Sequence, residues 1–126
     1  MSPQLALGVT VAGGLGSLAR YAVGAAVSSP TQRWPWATLL VNLVGAALIG
    51  AVVAVCAARP DGARLRVYLA TGFLGGFTTF SSLALETVTL LQRRAYLSAT
   101  GYVAATVVVG VAACAAGLWL GEALRR

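Results

Sequence analysis

The chain has 126 residues, of which 59% are hydrophobic and only 10% are charged, and its formal net charge is +6. A soluble domain carries about 25% charged residues, so this composition excludes an ordinary soluble protein and indicates an integral membrane protein. The basic residues are all arginines and lie mainly at the ends of apolar segments. That placement is typical of contacts with lipid headgroups and argues against nucleic acid as a partner.

Four apolar segments are long enough to cross a bilayer, which requires about 20 apolar residues per helix. They cover residues 5–27, 36–58, 67–91 and 97–120, and are joined by short polar connectors at 28–33, 59–66 and 92–96. The sequence therefore predicts an all-α membrane protein in which residues 1–126 form a single domain of four transmembrane helices.

The first segment combines small residues with one buried charge. Gly13, Gly16 and Gly24 recur at roughly one-turn spacing, which lets helices pack closely. Arg20 lies deep enough in the segment to be costly unless it is paired or reaches the interface. Two interpretations stay open: Arg20 marks the membrane interface, or it has a structural or electrostatic role toward an anionic substrate.

The second segment carries a single amide side chain, Asn42. A polar group in the hydrocarbon region must find hydrogen-bond partners. Asn42 either bonds to a neighbouring helix or donates its NH₂ group to a passing anion.

The third segment contains residues 71–82, with three glycines, two serines, three phenylalanines and several threonines. Gly75 and Gly76, followed by Phe-Thr-Thr, weaken helix propensity, so we expect this helix to be broken at its centre. Carbonyl groups freed by such a break need a partner, and a cation is one candidate. Further on, Glu86 is the only acid well inside a span and is a candidate partner for Arg20 or another arginine.

Polar positions in the fourth segment are spaced four residues apart, at Tyr102, Thr106 and Gly110. This spacing places them on one helix face. The row forms either a packing face of small residues or the rungs of a polar pathway.

Arginines are almost evenly divided between the two predicted sides of the membrane, five on one and four on the other. The positive-inside rule then gives almost no preferred orientation. This balance fits a chain that inserts both ways and pairs antiparallel, or one half of a heterodimer. Four small helices also offer little room for a solvated pathway, so we expect an oligomer.

Three motifs occur in order along nearly the whole chain: GGLGSLARY at 13–21, LLVNLVG at 39–45 and GFLGGFTTFS at 72–81. In a four-span chain of this length they resemble the Fluc (CrcB) family of fluoride channels. The resemblance implies an antiparallel dual-topology dimer in the inner (plasma) membrane, with two pores that pass fluoride down its electrochemical gradient. It also implies a structural Na⁺ at the dimer centre, held by the backbone carbonyls of Gly75 and Thr78 of each subunit.

The same resemblance assigns pore roles to Asn42 as a donor, to Phe80 through its ring edge, and to Tyr102 and Thr106 as a polar track. Two positions depart from the family pattern. Leu83 stands where the family has a second phenylalanine, and Gly110 stands where it has a serine. These departures keep open a heterodimer with a paralogous four-span subunit.

Two rival functions follow from the same features. The first is a non-conducting or partner-dependent subunit, which Leu83 and Gly110 favour. The second is a small multidrug antiporter, which is less favoured because the first segment lacks the carboxylate that proton-coupled drug export needs. An enzyme is not expected, because the sequence has no nucleotide-binding loop, metal-ligand cluster or paired nucleophile and base.

Overall fold

The computed structural model describes residues 2–29 and 34–125, and the description below concerns those residues. Their helices are α1 (Pro3–Val27), α2 (Trp36–Ala57), α3 (62–77), α4 (Phe80–Gln92) and α5 (Tyr96–Ala123). Together α3 and α4 make the third span, Gly62–Gln92. The prediction of four transmembrane helices with a broken third helix is therefore confirmed, and the chain is a multi-pass membrane protein. Most of the predicted first connector, including Arg33, lies outside the described residues, as does Arg126.

Local signals define where the helices begin and turn. The Ser2 hydroxyl accepts a hydrogen bond from the Leu5 backbone N–H at 3.3 Å, and Pro3 occupies the first turn of α1, where its missing N–H costs nothing. Between α2 and α3, the Arg59 guanidinium donates to the Asp61 carboxylate at 3.0 Å. This hydrogen bond lowers the pKa of Asp61, so the exposed connector keeps both charges at neutral pH.

Close backbone contacts pair the helices. A Cβ atom at Gly50 of α2 would overlap the Cys114 carbonyl, and one at Gly117 of α5 would overlap the Ala47 carbonyl. Gly76 of α3 likewise lies against the Gly13 backbone of α1. Small residues allow this approach where water cannot drive helix association. The bundle therefore consists of two tight pairs, α1 with α3 and α2 with α5.

Two clusters of buried side chains fill the bundle. One contains Leu39, Leu83, Leu90, Ala99 and Tyr102, and the other contains Val41, Leu74 and Phe77. By contrast, only 6% of the residues in the most apolar window of α1 are buried. Most of the apolar surface of a single chain thus remains available to lipid or to another protein.

The third span breaks at Thr78 and Thr79 and not at the glycines. Thr78 (ψ 159°) and Thr79 (φ -151°, ψ 116°) are extended, whereas Gly75 and Gly76 remain helical. The preceding turns, Val67–Leu74, are wound as a π-helix, as are Ala105–Val109 in α5. Such wider turns occur often at functional sites. Weak local propensity therefore allows the break, while Gly76 allows close packing against Gly13 of α1.

Candidate functional site at the helix break

The side chain of Asn42, on α2, forms two hydrogen bonds with the backbone at the break in the third span. Its Oδ1 accepts from the Thr79 backbone N–H at 2.8 Å, and its Nδ2 donates to the Thr79 carbonyl at 3.1 Å. One side-chain amide thus bonds to both the N–H and the carbonyl of Thr79, and its Oδ1 takes the place of the Gly75 carbonyl as acceptor for the Thr79 N–H. The Asn42 NH₂ group carries a second hydrogen, so the clamp leaves this residue one further donor.

The break also leaves the Gly75 and Thr78 carbonyls without their helical donors. In a continuous helix the Gly75 carbonyl would accept from the Thr79 N–H, which here bonds to Asn42. The Thr78 carbonyl would accept from the Ser82 N–H, which here bonds to the Thr79 hydroxyl at 3.2 Å. Both residues line a groove of about 260 Å³ beside Asn42. These oxygens are the atoms that the sequence resemblance assigned to a cation.

The donor set there consists of neutral oxygens. Within residues 2–29 and 34–125 no group of three or more His, Cys, Asp or Glu side chains could hold a metal. Carbonyl oxygens fit a hard cation, which gathers roughly six oxygen ligands. Gly75 and Thr78 of one chain supply too few, so a cation at this position fits a site shared between chains.

Hydroxyl groups cap α4 just after the break. The Thr79 Oγ1 lies 3.1 Å from the hydroxyls of both Ser81 and Ser82. Thr79 is also the N-cap of α4, because its hydroxyl oxygen accepts a hydrogen bond from the Ser82 backbone N–H. The cluster concentrates polar groups on one side of the break.

Glu86 bonds to two hydroxyls and not to an arginine. Thr38 donates to its Oε1 at 2.8 Å, and Tyr102 donates to its Oε2 at 2.5 Å. Within the described residues no ion pair includes Glu86, so the expected pairing with Arg20 or another arginine is absent there. The sequence reasoning missed Thr38, although its place one turn before Asn42 puts both on the same face of α2.

The two hydroxyls of the predicted polar track of α5, those of Tyr102 and Thr106, donate their hydrogens to different acceptors. Thr106 donates its hydroxyl hydrogen to the Tyr102 carbonyl at 2.8 Å, within the helix, and Tyr102 donates to Glu86. A hydroxyl has one hydrogen to donate. Either residue must therefore break its present bond before it can donate to an anion.

Arg20 lines a cavity of about 300 Å³ that reaches the break. Hydroxyl-bearing residues share its wall with the guanidinium, namely Ser17, Tyr21, Thr38, Thr79 and Ser82. A positive charge among hydroxyls in an apolar bundle is suited to attract a small anion. This setting favours the electrostatic interpretation of Arg20.

Phe80 and Leu83, the positions where the family pattern has two phenylalanines, differ in exposure. Phe80 is 80% exposed in the single chain, whereas Leu83 is 7% exposed and packs in the cluster that contains Tyr102. Gly110 on α5 has room beside it, since an added Cβ would meet Leu43 Cδ2 at 3.8 Å. Phe80 is thus available to a partner chain, and Leu83 is part of the internal core.

Taken together, the polar groups converge on a helix break in a four-span bundle, an arrangement typical of α-helical ion-transport proteins. The family described as "CrcB-like protein, Camphor Resistance (CrcB)" matches residues 7–118. The chain belongs to this family.

Several curated relatives cover nearly the whole chain. It is 46% identical over 120 residues to the fluoride-specific ion channel FluC of Bordetella petrii, covering 94% of this chain and 92% of the relative. For the FluC of Paracoccus denitrificans the identity is 45% over 118 residues, covering 94% of each. The relative named FluC 2 from Nocardia farcinica is 40% identical over 131 residues, covering 100% of this chain and 94% of the relative. These relatives are named as ion channels and not as enzymes.

Proposed function

We propose that the chain forms a fluoride-selective channel of the inner (plasma) membrane that exports fluoride passively down its electrochemical gradient. The observation that supports this most directly is the Asn42-clamped break beside the Arg20 cavity, in a chain whose relatives are named fluoride-specific ion channels. Passive conduction needs no coupling reaction, which agrees with spans that contain few acids.

A fluoride pathway must replace the strong hydration of the ion with donors, yet hold it weakly enough for release. Arg20 raises the local concentration of anions in its cavity. Asn42 offers its second N–H, and the Phe80 ring offers its positive edge. The hydroxyls of Tyr102 and Thr106 join this pathway when they exchange their present acceptors for the ion.

The proposed assembly is an antiparallel dimer with two pores. The exposure of Phe80 supports it, because a ring placed toward a partner can contribute to a pore shared by both chains. The carbonyls of Gly75 and Thr78 from two subunits would provide four ligands to a structural, non-transported Na⁺. Bound there, the ion would supply positive charge that compensates the freed carbonyls.

A second candidate is a partner-dependent or non-conducting subunit of a heterodimeric fluoride channel. Leu83 favours it, because this residue is buried in the core and supplies no ring edge where the family has phenylalanine. The relative named FluC 2 is consistent with genomes that encode more than one such chain.

Fluoride efflux from liposomes that contain only this chain tests the proposal. Efflux is read with a fluoride electrode, with chloride-loaded liposomes as the control. Fast fluoride efflux without chloride efflux supports a homodimeric channel. If the folded protein gives no fluoride efflux, a conducting homodimer is excluded. Efflux that appears when a second four-span chain is added then supports the heterodimer.

A further inference from the structure

A second polar cavity lies at one end of the bundle, next to the residues already described. Its volume is about 300 Å³, and its lining includes Ser28, Trp34, Glu86, Thr89 and Arg93. Thr38 lines the Arg20 cavity and donates to Glu86, which lines this one. The Thr38–Glu86 hydrogen bond therefore stands between the two cavities.

The described lining of this second cavity contains one acid and one arginine, Glu86 and Arg93. Glu86 lies in α4, and Arg93 directly follows the last residue of that helix, Gln92. Both line the cavity, about 10 Å apart along the helix axis. Arg93 is exposed, and it makes no ion pair with a described residue. Of the two charged side chains, Arg93 is exposed at the end of the span, whereas Glu86 is only partly exposed.

Trp34 adds a hydrogen-bond donor to the cavity lining. Its indole Nε1 is buried and has no hydrogen-bond partner among the described residues, although nearly all buried polar groups in proteins have one. The ring is held between Trp36 and Tyr102, with centroids 5.8 and 6.0 Å away. Trp34 thus contacts the ring of Tyr102, whose hydroxyl donates a hydrogen bond to Glu86.

We infer that this cavity is an outer anion site of the conduction path, in which Arg93 offsets the charge of Glu86 and Trp34 supplies an N–H donor. The ligand is a small, strongly hydrated anion, fluoride under the function proposed above, on which this inference rests. Among the lining residues that the structure describes, loss of Arg93 would leave the Glu86 carboxylate as the only charge. This loss should therefore harm conduction more than loss of another surface arginine.

The test compares Arg93→Gln with Arg94→Gln in liposome efflux at low and high ionic strength, set with impermeant ions. Arg94 follows Arg93 in the turn after α4 and does not line the cavity, so both variants remove the same net charge. Arg93→Gln should lower fluoride flux by roughly tenfold at low ionic strength, with a smaller loss at high ionic strength. Arg94→Gln should follow the wild type, and Arg93→Lys should restore most of the flux.

Equal efflux curves for Arg93→Gln and Arg94→Gln would overturn the inference, as would a loss from Arg93→Gln that is the same at all ionic strengths. If Arg93→Gln does not fold, Trp34→Phe decides, because it keeps a ring and removes the N–H. A several-fold drop in its flux supports the site, and unchanged flux overturns it. A wild-type chain that shows no fluoride flux, alone or with a partner, would instead refute the proposed function.

Discussion

Asn42 and Thr79, 37 positions apart in the chain, are joined by two hydrogen bonds in which one side-chain amide serves both polar groups of one peptide residue. The partner comes from α2, so the geometry of the broken span depends on the rotation of a neighbouring helix. This clamp leaves the Gly75 carbonyl without its helical donor and Asn42 with one spare N–H. The same Asn42 amide therefore holds the backbone at the break and keeps one N–H free to donate.

Asn42→Asp should abolish fluoride flux and lower the free energy of unfolding by about 1–3 kcal/mol. The carboxylate can still accept from the Thr79 N–H, but it repels the Thr79 carbonyl and places negative charge in the anion path. Efflux and thermal unfolding in detergent measure the two effects separately. Thr10→Val is the control, because the Thr10 hydroxyl donates to the Ala6 carbonyl of its own helix, on an exposed face. Normal flux through Asn42→Asp would remove Asn42 from the pore.

Phe80→Ile should reduce fluoride flux and leave the stability of the protomer nearly unchanged, because the ring is 80% exposed and contributes little to the core. Phe77→Ile is the matched control. Phe77 is 8% exposed, and its ring stacks on Phe73 at 6.0 Å, so this change should cost roughly 1–3 kcal/mol of stability. Unchanged conduction in Phe80→Ile would show that the Phe80 ring takes no part in fluoride passage.

Replacement of Na⁺ by a bulky organic cation throughout purification should weaken the dimer or its activity. The reason is that the freed carbonyls of Gly75 and Thr78 would then lack a small cation to bind. Size-exclusion chromatography and fluoride efflux, each repeated after Na⁺ is returned, measure the effect. Indifference of both to Na⁺ would argue against a cation site at these carbonyls.

Gly110→Ser and Gly117→Ser should differ sharply although both lie on α5. At Gly110 an added Cβ makes ordinary contact with Leu43 at 3.8 Å, so stability should change by at most about 0.5 kcal/mol. At Gly117 the Cβ would overlap the Ala47 backbone, so the loss should reach roughly 1–3 kcal/mol or more. Thermal unfolding of both variants checks this, and strong destabilisation by Gly110→Ser would show that Gly110 is a close helix contact.

Fluoride flux through Gly110→Ser carries separate information. The new hydroxyl extends the row of Tyr102 and Thr106 by one position, so flux should be maintained or increased. A clear loss of flux in a stable variant would place the row outside the conduction path.

Several features of the site could be predicted from the sequence because they depend on residue type at one position. Asn42 is the only amide in its span, and Gly75-Gly76-Phe-Thr-Thr is a poor helix former in an apolar segment. Both therefore identified the region of the break. The partners could not be predicted in the same way, because Glu86 bonds to Thr38, 48 positions away, and to Tyr102, 16 positions away.

Hydropathy and helix propensity are local properties, so the four membrane spans, the weak point in the third span and the polar residues that need partners can all be read along the chain. The opening at Thr78 and Thr79, with Gly76 still helical against Gly13, depends instead on contacts between helices. Glycine contacts set the distance between the helices and their rotation. That rotation decides which donor meets which acceptor across the bundle, and so which hydrogens of Asn42, Tyr102 and Thr106 are already committed.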